Sequence, residues 1–351
     1  MPSRLSMRIL QVDSGREWRG GQNQVRLLCR ELARDAQVEQ ILVTKHESEL
    51  ARRAAADGVT VGGTAWEIGL DPRAWWHLRR TISAFRPDII HVHDSHALTL
   101  AATAALGGGP TLVATRRVDF HVGRFGAWRR PDRIIAVSEA VKRVLVGDGI
   151  AADAITVVPD GIDPEEIRRA AAPPLDMRSR LRLSPQALLA VNAAALVDHK
   201  DHKTLIRAAR AARTLEPQLH WVIAGEGPRR DALAAEITRL DLQGRVHLVG
   251  WIDRIEALIA EASIFVMSSK LEGLGSVILN ALALGRPVVA TAAGGIPEIL
   301  PPDVLVPPGA AEALAQKVVA VLRDPKPVPF PPRFTAQAMV GHVLDVYRAL
   351  L

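Results

Sequence analysis

A single cysteine, Cys29, is all the thiol chemistry in this 351-residue chain. One cysteine can form neither an internal disulfide nor a thiolate metal cluster. Its neighbours at helical spacing, Val25, Leu28 and Leu32, mark it as a small core residue. Long apolar runs are missing too: nothing approaches the roughly 20 residues that span a bilayer. No apolar core precedes a cleavage site at the N-terminus. A cytoplasmic location is expected, with peripheral attachment at the inner membrane face as an extension of it. Three glycine signatures are also absent. Without G-x-G-x-x-G after the first strand, G-x-x-x-x-G-K-[ST] or G-x-S-x-G, the dinucleotide oxidoreductase, nucleoside triphosphatase and α/β-hydrolase readings lose their main support. There are no short-period repeats.

Charge is nearly balanced. Lys and Arg total 44 against 38 Asp and Glu, a net charge of +6. So small an excess does not indicate a dedicated nucleic-acid binder. It suits a protein that handles anionic small molecules or meets an anionic membrane surface. A hydrophobic fraction of 48% with 23% charged residues is that of a folded chain, and the length predicts two domains.

Short apolar runs alternate with amphipathic stretches. In the first half, strands are expected over Arg8–Val12, Gln40–Thr44, Asp88–His93, Thr111–Thr115, Arg133–Val137 and Ile155–Pro159. Helices are expected over Gln22–Arg34, Glu47–Asp57 and from the N-cap Ser138 to Val146. After a linker at Pro173-Pro174, strands are expected over Leu188–Asn192, His220–Gly225, Val246–Val249, Ser263–Met267 and Pro287–Thr291. Helices are expected over Lys203–Thr214, Arg229–Leu240, Arg254–Glu261 and Ser276–Leu284. This rhythm implies parallel α/β sheets covered on both faces. Two such domains are expected, 1–168 and 169–332, followed by a proline-rich spacer at Pro325–Pro332 and a last helix within 333–351.

The segment Ser268-Ser269-Lys270-Leu271-Glu272-Gly273-Leu274-Gly275-Ser276 lies between a strand and a helix. Ligands of open parallel sheets bind at the carboxyl ends of strands. Gly273 and Gly275 allow close backbone approach, and the amides of Leu274, Gly275 and Ser276 would present a helix N-terminus to phosphate. Glu272 beside an anion site makes sense if it bonds hydroxyls of the same ligand. Phosphate plus polyol describes a nucleotide sugar. A second glycine pair, Gly294-Gly295, follows the next strand.

The run Glu272–Glu298 resembles the donor-site signature of retaining glycosyltransferases of family 4, which have the GT-B fold. Further matches are Gly20-Gly21, Val137-Ser138-Glu139, Pro159-Asp160-Gly161-Ile162-Asp163, Ala224-Gly225-Glu226-Gly227-Pro228 and the loop Ala194–Lys200. The resemblance implies two Rossmann-like domains facing across a cleft, with the C-terminal helix crossing back to the N-domain. It implies Lys200 and Glu272 as catalytic residues and a donor site that also includes Gly20, Gly21, Gly225, Gly227, Gly273, Leu274, Gly275, Ser276 and Asn280. Gly20-Gly21 would be a loop capping the phosphates. The sequence departs from the pattern at Asn280, where the family has Glu, and at Ala195, where it commonly has Arg. Asn can still bond a ribose hydroxyl.

The implied reaction moves a sugar from a UDP-, GDP- or ADP-linked donor to a glycan or lipid-linked, lipopolysaccharide-like acceptor. It needs no cofactor and no metal, and no acidic metal-binding cluster such as DxD stands out. Arg116, Arg117, Asp119 and His121 are expected to meet the acceptor. The arginine-rich stretch Arg116–Arg133, with Phe120, Phe125 and Trp128 interleaved, is expected at an anionic membrane surface rather than on nucleic acid. His91, His93 and His96 sit where family members carry histidine without metal. Two other readings stay open: a catalytically weak sugar-nucleotide-binding protein, and a sugar-nucleotide epimerase on the same fold.

Overall fold

The structure is a computed structural model that describes residues 6–67, 71–105, 109–123 and 126–351. Two compact units form. The first runs as far as Gly161 and takes in Arg333–Leu351; the second is Ile162–Pro332. Each is a parallel sheet with helices on its faces.

In the first unit the strands are β1 (Met7–Asp13), β2 (Val38–Lys45), β3 (Val61–Thr64), β4 (Ile89–Val92), β5 (Thr111–Arg116), β6 (Arg133–Ala136) and β7 (Ile155–Val157). Their order is β3-β2-β1-β4-β5-β6-β7, every pair parallel. Helices α1 (Gly20–Leu32), α2 (Glu49–Ala56), α3 (Pro72–Phe85), α4 (Ser95–Ala104) and α5 (Glu139–Gly147) connect them. Several open on a side-chain cap: Asp71 for α3, Asp94 for α4, and Ser138, whose Oγ accepts the amide of Val141 at 3.1 Å, for α5.

In the second unit, α6 (Pro164–Ala170) and the single turn α7 (Met177–Arg180) precede strands β8 (Leu188–Ala193), β9 (Leu219–Ala224), β10 (Val246–Gly250), β11 (Ile264–Met267), β12 (Val288–Thr291) and β13 (Leu305–Val306). Helices α8 (His202–Ala212), α9 (Arg230–Arg239), α10 (Ile255–Ala260), α11 (Val277–Ala283) and α12 (Ala311–Arg323) complete it. The order is β10-β9-β8-β11-β12-β13, again all parallel. All of α6 goes with this unit, so the units divide between Gly161 and Ile162: Ile167 is buried and the helix packs on α10 and α11.

Strands β4, β11 and β12 are buried at every residue, as central strands covered on both faces must be. The last helix, α13 (Ala336–Arg348), belongs to the first unit. Its Met339, Val340, Val343 and Tyr347 close a core with Ile9, Leu27, Leu28, Leu32 and Ile89. Cys29 is fully buried beside Val25, Leu42 and Leu50, and burial pushes its thiol pKa up. Among the described residues no helix is long and apolar enough to cross a membrane.

Both sheets reverse their strand order at one place. In the first unit it lies between β1 and β4, in the second between β8 and β11. The connections diverge there and leave a crevice at the carboxyl ends of the strands, the place where open α/β sheets take ligands.

Candidate active site

In the second unit the two loops that leave this crevice are stitched together. After β8 the chain makes a 3-10 turn at Asp198–Lys200, and Asp201 takes left-handed geometry (φ 46°). After β11, the Ser268 hydroxyl donates to the carbonyls of Lys200 and Asp201, both at 3.1 Å. The His199 carbonyl accepts the Lys270 amide at 2.8 Å. The outcome is that Lys200 Nζ lies 2.5 Å from Glu272 Oε2, with Ser269 Oγ donating to the same oxygen at 3.1 Å. The side chains are 17% and 11% exposed, enough to reach a ligand while losing most of their hydration.

Glycines let neighbouring loops press onto this pair. Gly294 has φ +51°, and a Cβ there would lie 1.6 Å from the Glu272 carbonyl oxygen. Gly295 then donates its amide to that oxygen at 3.1 Å. Gly225 (φ +145°) passes so close to the lysine loop that a Cβ would lie 2.0 Å from the Ala194 carbonyl oxygen. Beyond it, Leu196 donates to the Glu226 carbonyl and accepts from Arg229, whose guanidinium pairs with Asp198 at 2.6 Å. The loop holding Gly225 and Gly227 thus seats the backbone that carries Lys200.

Beside Glu272, helix α11 starts at Val277 with no side-chain cap. Among the described residues no acceptor receives the amides of Leu274, Gly275 and Ser276. That of Ser276 is an ordinary orphan of a helix start, and those of Leu274 and Gly275 lie in the turn that leads into it. Leu274 anchors the turn with a buried side chain, and Gly273 precedes it. Asn280, one turn further on, faces α10, with its Nδ2 3.5 Å from Glu256 Oε1.

In the first unit, Gly20 and Gly21 are the first two residues of α1 rather than a loop; the loop is Ser14–Arg19. This corrects the sequence expectation: Arg19 takes the cap position and the glycines adopt helical geometry behind it. Between the β1 and β4 ends lies a cavity of about 370 Å³ lined by Ser14, Arg16, Arg19, Gln22, Trp66, Asp94 and His96. Sequence reasoning missed it as a unit, because its residues come from three separate connections. Beneath it Asp13 is buried, accepting the Gly15 amide at 2.8 Å; burial first, then the charge of Asp94, raise its pKa to about 6.

Two arginines expected to face an acceptor turn inward. Arg116 is buried, donates to the Phe120 carbonyl at 2.7 Å and lies 4.9 Å over the Trp128 ring. Arg117 pairs with the buried Asp160 at 3.2 Å and approaches His93 Nδ1 at 3.5 Å. The Phe120 carbonyl and an indole face partly replace solvent around Arg116, whose buried Nε has no hydrogen-bond partner among the described residues, and a buried carboxylate does so for Arg117. His121 is exposed and holds Asp148 at 2.7 Å, Asp119 is half-buried, and Arg124 and Phe125 lie outside the described residues. Both nitrogens of His91 have protein partners, Tyr347 Oη and Thr115 Oγ1, each at 2.6 Å, and burial pushes its pKa well down.

The family model for glycosyl transferases group 1 matches residues 176–338, and that for glycosyltransferase family 4 matches residues 18–166. The chain belongs to this glycosyltransferase family. A 2-deoxystreptamine glucosyltransferase of Streptomyces kanamyceticus is 28% identical over 292 residues, 80% of this chain and 72% of that protein. Glycogen synthase of Mycobacterium tuberculosis is 30% identical over 295 residues, 74% of this chain and 67% of that one. The lipopolysaccharide core glycosyltransferase LpsE of Rhizobium meliloti is 34% identical over 151 residues, 42% of this chain and 43% of its own. Among solved structures, Anabaena HepE in complex with UDP superposes with a TM-score of 0.81 at 20% identity, over 98% of this glycosyltransferase and 100% of HepE. That likeness shows a shared fold, the two-unit GT-B architecture.

Proposed function

We propose that this glycosyltransferase moves a sugar from a nucleotide-sugar donor to a hydroxyl of a glycan or lipid-linked acceptor, with retention at the anomeric carbon and without a metal ion. The observation that carries this reading is the meeting of Lys200 and Glu272 beside the open amides of Leu274, Gly275 and Ser276. A diphosphate needs cations and N–H donors; a sugar ring needs an acceptor for its hydroxyls. Lys200 and the three amides would take the first, Glu272 the second. Preorganised donors aimed at a departing anion are worth roughly a hundredfold to a thousandfold in rate each. With the sugar fixed by Glu272, the acceptor oxygen bonds the anomeric carbon on the face where the bond to the diphosphate breaks, and its proton passes to the departing diphosphate oxygen, so configuration is retained and no enzymic nucleophile is needed.

The neighbours support the donor class. HepE has been solved with UDP and with UDP-glucose, and the named relatives are a glucosyltransferase and a lipopolysaccharide core glycosyltransferase. On the acceptor side, His121 is exposed although it holds Asp148, and Asp119 is half-buried, while Arg116 bonds the Phe120 carbonyl and Arg117 pairs with Asp160. A thermal-shift screen of UDP, GDP and ADP and their sugars identifies the donor, since a ligand of the folded state raises its apparent stability. Turnover with that donor in the presence of a chelator, and the anomeric configuration of the product by NMR, test the rest. An inverted product or chelator-sensitive transfer would refute the mechanism. Binding without turnover would favour the weak-binder reading, to which the engagement of Asn280 by Glu256 gives its one specific support.

A further inference from the structure

Trp76 is 62% exposed, more than any other aromatic residue among those described. It sits on α3, whose inner face buries Ala74, Leu78 and Phe85. At 100° per residue, Arg73, Arg79 and Arg80 all fall within about 60° of Trp76 on the outer face. The helix Pro72–Phe85 contains no acidic residue, and the exposed Arg86 follows as its C-cap. Of the acids flanking it in sequence, Asp71 and Glu67 act on Arg73 at the N-terminal end, Asp71 itself buried and pairing with that arginine at 3.1 Å, and Asp88 beyond the C-cap accepts the Arg8 amide at 2.8 Å. Arg79 reaches the Ala104 carbonyl at 2.8 Å, and among the described residues Arg80 has no side-chain partner. Trp75 stacks beside Trp76, ring centres 6.4 Å apart, widening the aromatic surface. The other strongly exposed tryptophan, Trp251, differs: its indole N–H is capped by Asp253 at 2.7 Å, so it presents an acid instead of a cation.

We infer that the outer face of α3 docks the protein on an anionic lipid bilayer. A soluble polyanion would reward the arginines but gives no reason to hold an indole in water. An interfacial bilayer rewards both, because tryptophan settles at headgroup depth and arginines are drawn to anionic headgroups. The stretch Arg116–Arg133, the sequence's own candidate for that surface, exposes Phe120 and Arg130 but offers no exposed tryptophan beside its cations. Arg116 and Trp128 are buried, Arg117 is paired, Arg129 is bonded to the carbonyls of Asp148 and Gly149, and Arg133 to that of Asp153. The inference stands apart from the donor-site reading, since no residue of α3 enters that site.

Co-sedimentation of the full chain with vesicles tests it, using phosphatidylcholine alone and with phosphatidylglycerol added. The protein is expected to pellet only with the anionic vesicles and to be released as salt rises. Reversing one arginine, Arg80→Glu, is two charge steps and is expected to weaken partitioning about twenty-five-fold, at roughly fivefold per step near an anionic surface. Trp76→Ala is expected to weaken it roughly tenfold at constant charge. Both positions are exposed, so unchanged melting curves serve as the folding control. Wild-type indifference to anionic lipid would overturn the inference. So would variants that pellet like wild type, or equally tight binding to heparin that Trp76→Ala leaves untouched.

Discussion

Lys200 and Glu272 form a 2.5 Å ion pair across the crevice where the second sheet reverses its strand order. Without a ligand each cancels the other's charge in a place largely shielded from water. In the proposed mechanism a donor separates them, its phosphates taking the ammonium and its sugar hydroxyls the carboxylate. The consequences for the two partners differ in sign. Glu272→Ala is expected to reduce transfer by at least about a hundredfold with the fold intact. Glu272→Gln removes the anion that competes for Lys200, so it should bind the nucleoside diphosphate alone several-fold tighter while turning over slowly. Lys200→Ala should weaken the same diphosphate. Calorimetry with the diphosphate and a turnover assay read all three; weaker diphosphate binding by Glu272→Gln would contradict the exchange.

Gly294 is the nearest point at which the backbone itself constrains Glu272. Its φ is left-handed, and a methyl carbon added there would lie 1.6 Å from the Glu272 carbonyl oxygen, so there is no room for a side chain. Gly294→Ala must therefore push the β11 loop aside. A loss of at least about 2 kcal/mol is expected for such a clash combined with a strained φ. Transfer should fall further than stability does, because a misplaced catalytic group costs about a hundredfold per ångström. Denaturant unfolding alongside kcat separates the two; a stable variant with full turnover would show that the Gly294 loop does not position Glu272.

Where burial has a simple period, the sequence was legible. The central strands were readable because helices cover both faces and leave continuous apolar runs, as at Ile264–Met267 and Val288–Thr291. Helix α4 went unread for the same reason turned round. Ala97, Leu98, Leu100, Ala101, Ala102 and Ala104 are all buried, and the outer face at helical spacing is Ser95, Thr99 and Thr103, small and uncharged, a weak polar signal. Strand β3, Val-Gly-Gly-Thr, lacks the side chains that signal a strand, and β13 is two residues long. At the site, the glycines and Glu272 were legible as loop chemistry, but the salt bridge to a lysine 72 residues away was not. Arg116 and Arg117 read as a surface pair because nothing local announces Trp128 or Asp160 as their partners.

Asp13 makes stability depend on pH in a direction opposite to most carboxylates. Its folded pKa of about 6 lies above the ordinary value of 3.8, so the folded protein holds this proton more tightly than the unfolded chain. The stabilisation is complete below about pH 4 and disappears as pH rises through 6. His91 and His93, pushed down by burial, contribute stability that is present above 6.5 and lost on acidification. Asp13→Asn removes only the first effect. It is expected to match wild type near pH 4 and to exceed it at neutral pH by up to about 3 kcal/mol, the linkage value of the shift. Unfolding curves across that range check it, and a difference that does not grow with pH would remove Asp13 as the titrating group.

Tyr347 ties the last helix into the first sheet through a chain of buried polar groups. Gln11 Nε2 donates to its hydroxyl at 3.3 Å, and that hydroxyl lies 2.6 Å from His91 Nδ1. Burial keeps the imidazole neutral, so one of its nitrogens donates and the other accepts, and Nε2 lies 2.6 Å from Thr115 Oγ1. Tyr347→Phe preserves the ring packing but leaves a Gln11 N–H and a His91 nitrogen without their partner. Such stranded groups cost about 1–3 kcal/mol. The loss should appear as a lower melting temperature with nucleoside diphosphate affinity unchanged, because Lys200 and Glu272 belong to the other unit. Adding Thr115→Val should cost less in the Tyr347→Phe background than alone, the signature of a shared network. Strict additivity would mean that the two ends of the chain act independently.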